Sequence, residues 1–199
     1  MMPTDKYRKT LVSVVQIVLF LFLAFGGFLK KVAPPDETNP DFYVGIVSFF
    51  VLIVLLIISA VARRLPGARN RRVWLIAGIG GLLLAITCAL IYPRVLHTYT
   101  YSSADNPGQL RVKGSDQGMK KAVKEWLQDQ PYEPDASELV RKFPPGQVWE
   151  KEAIESAKTT LLVSYGALVL SLAVSIFCLL EANTSLTATR RWEHDEADA

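Results

Sequence analysis

Four stretches of the chain carry no charged side chain: residues 10–29, 42–62, 73–93 and 159–180. Each has about 20 residues, enough for a helix rising about 1.5 Å per residue to cross a hydrocarbon core of about 30 Å. A core helix of a water-soluble protein repeats polar positions along one face. The stretch IVSFFVLIVLLIISAVA at 46–62 has no such face. The pattern predicts an all-α membrane protein with four transmembrane helices, at 10–29, 42–62, 73–93 and 159–182. The first apolar run exceeds the about 7–15 residues of a signal-peptide core and lacks a small-x-small cleavage site, so it is expected to be retained as a helix.

A different pattern fills residues 94–158, which carry ten basic and ten acidic side chains. VLHTYTY at 95–101 alternates β-branched and aromatic positions, the mark of a strand, and QLRVKG at 109–114 is a candidate return strand. From 115 to 130, Met119, Ala122, Val123, Trp126 and Leu127 share one helical face, with Ser115 as a candidate N-cap. The expected core of this part is Tyr99, Met119, Val123, Trp126 and Leu127. Asp135 and Glu138 have capping-box spacing ahead of a short helix at 136–142, and Pro144-Pro145-Gly146 closes it. No breaker separates Val148 from the last apolar run. One helix over 148–182 is therefore expected, extending outward from the bilayer by about 15–20 Å. The sum is a small α+β extracytoplasmic domain at 94–158, inserted between the third and fourth spans.

Charge orients this layout. The N-terminus (1–9) carries Lys6, Arg8 and Lys9, the 63–72 loop carries Arg63, Arg64, Arg69, Arg71 and Arg72, and the tail (183–199) carries Arg190 and Arg191 ahead of an acidic end. Short loops rich in Lys and Arg stay in the cytoplasm. Both termini are therefore expected inside, with 30–41 and 94–158 outside, although Lys30 and Lys31 fall on the outer side. Pro66-Gly67 lets the 63–72 loop reverse, and its arginines suit anionic lipid headgroups at about 1 kcal/mol each. A ten-residue loop held at a bilayer leaves no room for a nucleic-acid-reading domain. Tyr7, Tyr43, Trp74 and Tyr92 sit at span ends, where amphipathic rings favour the headgroup layer. These features predict a multi-pass protein of a bacterial cytoplasmic membrane. In outline it resembles small multi-pass membrane components of bacterial conflict and defence loci, a likeness of topology that no motif carries.

Small residues recur at every fourth position in two spans: Ala77, Gly81, Ala85 and Ala89 in the third, Ala167, Ser171 and Ser175 in the fourth. In lipid, close helix packing depends on such residues, so the two stripes are expected to meet, or else to face a second copy of the chain. Gly78-Ile79-Gly80-Gly81 has neither the preceding strand nor the following Lys-Ser/Thr of a phosphate loop. Cys88 and Cys178 lie at depths differing by about 20 Å in antiparallel spans, too far apart for a disulfide.

Chemistry is sparse. His97 and His194 are the only histidines, and no Cys-x-x-Cys, His-Glu-x-x-His or Walker pattern occurs. No acid, base or histidine lies within the four apolar runs, and Glu181 sits only at the inner end of the fourth span, whereas ion and proton pathways usually need such a group facing a cavity. No catalytic, cofactor or metal site is therefore expected. The composition points to a non-enzymatic scaffold, sensor or accessory subunit working through protein contacts and membrane lipids, with a protein partner or homo-oligomer. The alternative is an oligomeric pore-forming or membrane-disrupting effector, for example of a bacterial defence system, with Gln16, Ser48 or Thr87 facing its lumen.

Overall fold

The computed structural model describes residues 33–35, 42–62, 69–102, 110–132 and 134–197. Helix α1 covers Phe42–Ala62 and α2 covers Arg69–Tyr99. Strands β1 (Thr100–Ser102) and β2 (Leu110–Val112) follow, then a 3-10 turn at Asp116–Gly118. Helices α3 (Lys121–Gln128), α4 (Ala136–Lys142), the single turn α5 (Pro145–Val148) and α6 (Lys151–Ala197) complete the chain. Segments of α1, α2 and α6, at Phe42–Val61, Arg71–Tyr99 and Lys151–Asn183, are long and apolar enough to cross a membrane. The expected first span, 10–29, lies outside the described residues, as do the arginines at 63 and 64.

The described chain forms two compact units. One contains Val44–Ala89 and the chain from Ala167 onward; the other contains Ala33–Tyr43 and Leu90–Gly166. In the first unit the buried or half-buried line on α2 is Trp74, Gly78, Gly81, Ala85 and Cys88. Its steps alternate between four and three, so it stays on one side of a helix with about 3.6 residues per turn. The ring of Trp74 meets Phe177 edge-on at 6.4 Å between centroids. Trp74 also joins Cys178 and Ala182 in a cluster capped by Ile58 and Val174. The start of α2, the end of α1 and the late part of α6 therefore share one end of this unit.

The second unit has its own core of Tyr101, Val123, Ala136, Leu139, Val148 and Trp149. Pro34 is fully buried, which the polarity of the 30–41 loop gave no reason to expect. β1 and β2 pair antiparallel with Thr100 opposite Val112, Tyr101 opposite Arg111 and Ser102 opposite Leu110. The strand expected at 95–101 is mostly helix, because α2 runs on to Tyr99. The Thr98 and Thr100 hydroxyls donate to the carbonyls of Arg94 and Leu96, four residues back. Such a bond lets Thr98 sit on the helix despite its strand preference, while that of Thr100, the first residue of β1, accompanies the helix end. The helix passes Pro93 as well, whose missing N–H leaves the Ala89 carbonyl without its usual donor.

Two further boundaries differ from the sequence expectation. Ser115 precedes the 3-10 turn and makes no capping side-chain bond; α3 starts only at Lys121. The long last helix begins at Lys151, not Val148, and its backbone stays helical to Ala197. Both shifts have one cause. Met119 and Trp149 form an isolated antiparallel bridge, in which the Lys120 N–H donates to the Val148 carbonyl at 3.0 Å and the Glu150 N–H to the Gly118 carbonyl at 2.9 Å. Tertiary pairing takes the backbone groups that a continuing helix would have used. At α4 the expected start holds: Asp135 Oδ1 accepts from the Ala136 N–H at 2.7 Å.

Gly118 shows how tight this crossing is. A Cβ there would collide with the Cβ of Ala153, an atom with no rotamer to escape into. Gly118→Ala is expected to destabilise the second unit by about 1–3 kcal/mol. Adding Ala153→Gly should recover most of the loss, read as protection of the Val123 and Leu139 amides from hydrogen exchange. If the single and double variants are equally protected, the contact is not what holds the crossing.

Candidate functional site

No group of three or more His, Cys, Asp or Glu side chains among the described residues could hold a metal ion. The arrangements that can carry a function are the α2–α6 contact and the face of the second unit built around Trp149. In the first unit, the Ser175 hydroxyl is wholly buried and donates to the Gly78 carbonyl at 2.7 Å, across two helices rather than back along its own. A Cβ on Gly81 would lie 3.2 Å from Ser175 Cβ and 3.3 Å from its Cα. The two backbones therefore approach through glycine, as helices in lipid do at small residues.

The sequence-predicted packing residues divide. Gly81, Ala85, Ser171 and Ser175 are buried or half-buried, whereas Ala77, Ala89 and Ala167 are exposed. A strict step of four turns about 40° around a helix each time, so a stripe of four leaves the contact at its ends. Gly78, outside that stripe, supplies the carbonyl that Ser175 reaches. The true seam was visible only as an alternation of fours and threes. Ser48 and Thr87 each turn the hydroxyl back to a carbonyl of the same helix, Val44 and Leu83 respectively. Gln16 lies outside the described residues, and Arg71 and Arg72 are exposed at the start of α2. Cys88 and Cys178 are both free thiols.

In the second unit Val123 is 1% exposed, and Met119, Trp126 and Leu127 pack partly buried against the core. Tyr99 is not in that core. It is half-buried at the end of α2, and Tyr101 takes the place expected for it, because the helix runs on through the first five residues, 95–99, of the expected strand. The largest core side chain, Trp149, was not expected from the sequence. It is 1% exposed, and its ring tilts against Tyr101 at 6.0 Å. Gly114 leaves it room: a Cβ at Gly114 would come within 2.8 Å of Trp149 Cγ and Cδ1. The signal that could have found Trp149 is the apolar pair Val148-Trp149 before a run of charge, in a segment short of core candidates.

No family model, curated protein or solved structure matches the chain. The functional reading therefore stands on its geometry.

At the edge of this unit, Trp126 meets Phe143 edge-on at 5.6 Å and carries Lys142 Nζ over its ring at 4.1 Å. Tyr92 of α2 and Tyr165 of α6 face each other at 6.0 Å, and both are buried. On the turn between α3 and α4, Tyr132 remains 59% exposed. The Lys121–Glu125 and Lys151–Glu155 pairs are long and solvent-exposed, so they contribute solubility more than stability.

Proposed function

We propose that this chain is a non-enzymatic integral membrane protein, a scaffold, sensor or accessory subunit that works through protein contacts of its inserted unit and its transmembrane helices. The observation that carries the reading is a unit with its own aromatic core whose chain continues on both sides, through α2 and α6, as helices of membrane-spanning length. Such a unit serves to present a surface at the membrane. Tyr132 is the kind of exposed aromatic side chain that anchors protein interfaces.

The full layout belongs to the same proposal: four spans, with 1–9, 63–72 and 183–199 in the cytoplasm and 30–41 and 94–158 outside a bacterial cytoplasmic membrane. The pairing of Ala33–Tyr43 with Leu90–Gly166 in one unit supports putting both on one side. The cluster of Ile58, Trp74, Cys178 and Ala182 supports putting the arginine-rich loop at the same end as the tail.

In a Cys88→Ala, Cys178→Ala background, Lys121→Cys is expected to react with a membrane-impermeant maleimide in intact cells. Arg72→Cys should react only after permeabilisation. The reverse pattern would overturn the orientation. For the role, a photo-cross-linking side chain at Tyr132 should give a discrete hetero-complex, and purification in mild detergent should hold that complex at a defined mass. A symmetric ring of this chain alone, together with dye leakage from liposomes, would replace this reading with the pore-forming one.

A further inference from the structure

The boundary between the two units cuts both of the long helices that run through it. It falls between Ala89 and Leu90 in α2 and between Gly166 and Ala167 in α6. α1 crosses it only by its first residues, Phe42 and Tyr43. Close to this boundary each long helix carries its least helix-favouring residue. Pro93 is the one proline of α2, and Gly166 is the one glycine among the 47 residues of α6.

In α2 the backbone bonds that cross the boundary run from the N–H groups of residues 90–93 to carbonyls four residues back. Pro93 has no N–H, so the bond to the Ala89 carbonyl is missing from that set. In α6 the weakness is conformational, because a glycine backbone has no side chain to hold it in the helical region. Just before it, the Ser164 hydroxyl donates back to the Thr160 and Leu161 carbonyls. Such bonds compete with the helix ladder and bend it. Sharp bends fall at proline and where glycine and serine lie together. The two weak points share one level. Tyr92 and Tyr165, each the residue just before, are buried with their rings 6.0 Å apart.

We propose that Pro93 and Gly166 form a paired hinge, at which the second unit tilts as one body. A weak point in one helix alone would be resisted by its straight neighbour; two at one level give way together. Each unit is braced within itself. Tyr92 and Tyr165 hold α2 to α6 inside the second unit, and the close approach of Gly81 to Ser175 does so inside the first. Bending therefore concentrates in the few positions between these contacts, as hinges in proteins do. The hinge goes beyond the protein-contact reading and does not depend on it.

The test uses the full chain in lipid nanodiscs, in the Cys88→Ala, Cys178→Ala background, with nitroxide labels on pairs of introduced cysteines. Lys121→Cys with Leu83→Cys reports across the hinge, and Lys121→Cys with Arg141→Cys reports within the second unit. All three positions are exposed. Pulsed electron–electron double resonance is expected to give a broad distance distribution for the first pair and a narrow one for the second. Pro93→Ala restores a donor to the Ala89 carbonyl, and Gly166→Ala stiffens α6. Together they should narrow the first distribution to the width of the second and leave the second unchanged; each alone should narrow it part-way. A cross-hinge distribution that is already as narrow as the control, or one whose width the double replacement leaves unchanged, would overturn the hinge. A control pair that broadens in the double variant marks lost folding of the unit. The single variants then decide, and a width that neither of them narrows rejects the hinge. The labelling and cross-linking patterns above are unaffected by either result.

Discussion

Trp149→Ala is expected to unfold the inserted unit while leaving the apolar helices in the membrane. Replacing a buried Trp by Ala typically costs about 3–5 kcal/mol. A unit of this length has a total stability of about 4–13 kcal/mol, at about 0.05–0.15 kcal/mol per residue. The ring is also the surface on which others rest. Tyr101 packs on one side, Gly114 is shaped to it on another, and its backbone bridges Met119. Removing it leaves Val123 and Leu139, both nearly fully buried, against a void. The measurement is hydrogen exchange of the amides in α3 and α4, which should lose protection together. Exchange in the apolar part of α6 should stay slow. Retained protection in α3 and α4 would mean that Trp149 is peripheral to the core.

Gly81→Leu should separate α2 from α6, whereas Gly80→Leu, one residue away, should be nearly silent. A Cβ at Gly81 already sits 3.2–3.3 Å from Ser175 Cβ and Cα, closer than ordinary van der Waals contact, so a leucine there requires α6 to give way. A Cβ at Gly80 meets nothing within 4 Å. Overpacking of this kind costs about 1–3 kcal/mol or more. The change would also pull Ser175 from the Gly78 carbonyl, an interhelical bond worth about 0.6 kcal/mol on average in a membrane. Unfolding of the purified protein in a denaturing detergent titration should show the Gly81 variant shifted to lower denaturant and the Gly80 variant unmoved. Equal midpoints for the two would show that the close approach does not hold the helices.

The same pair of glycines shows where sequence reading ends. Both lie in one apolar helix and both are small. Only their angular position on α2 separates a packing residue from a surface one. The stripe of fours included Gly81 and Ala85 but also Ala77 and Ala89, which face outward. Which line of a helix meets its neighbour depends on where that neighbour lies, and in a uniformly apolar span no polar face reveals it. The second unit repeats the lesson in polar surroundings. The alternation of VLHTYTY is a sound strand signal. It loses to an arriving membrane helix, because extending a helix adds one hydrogen bond per residue without a new nucleation step.

By itself the sequence determined the three membrane-length helices, the amphipathic face of Val123, Trp126 and Leu127, and the Asp135-capped helix. Each depends on neighbours within a few positions: the bonding needs of backbone in lipid, the repeat of a helix, the reach of a capping carboxylate. Only the tertiary structure decided that Trp149 leaves the last helix to pair with Met119, that Pro34 is buried in the inserted unit, and that Ser175 reaches Gly78. Those contacts join residues far apart along the chain, and their free energy appears only once both partners have been brought together.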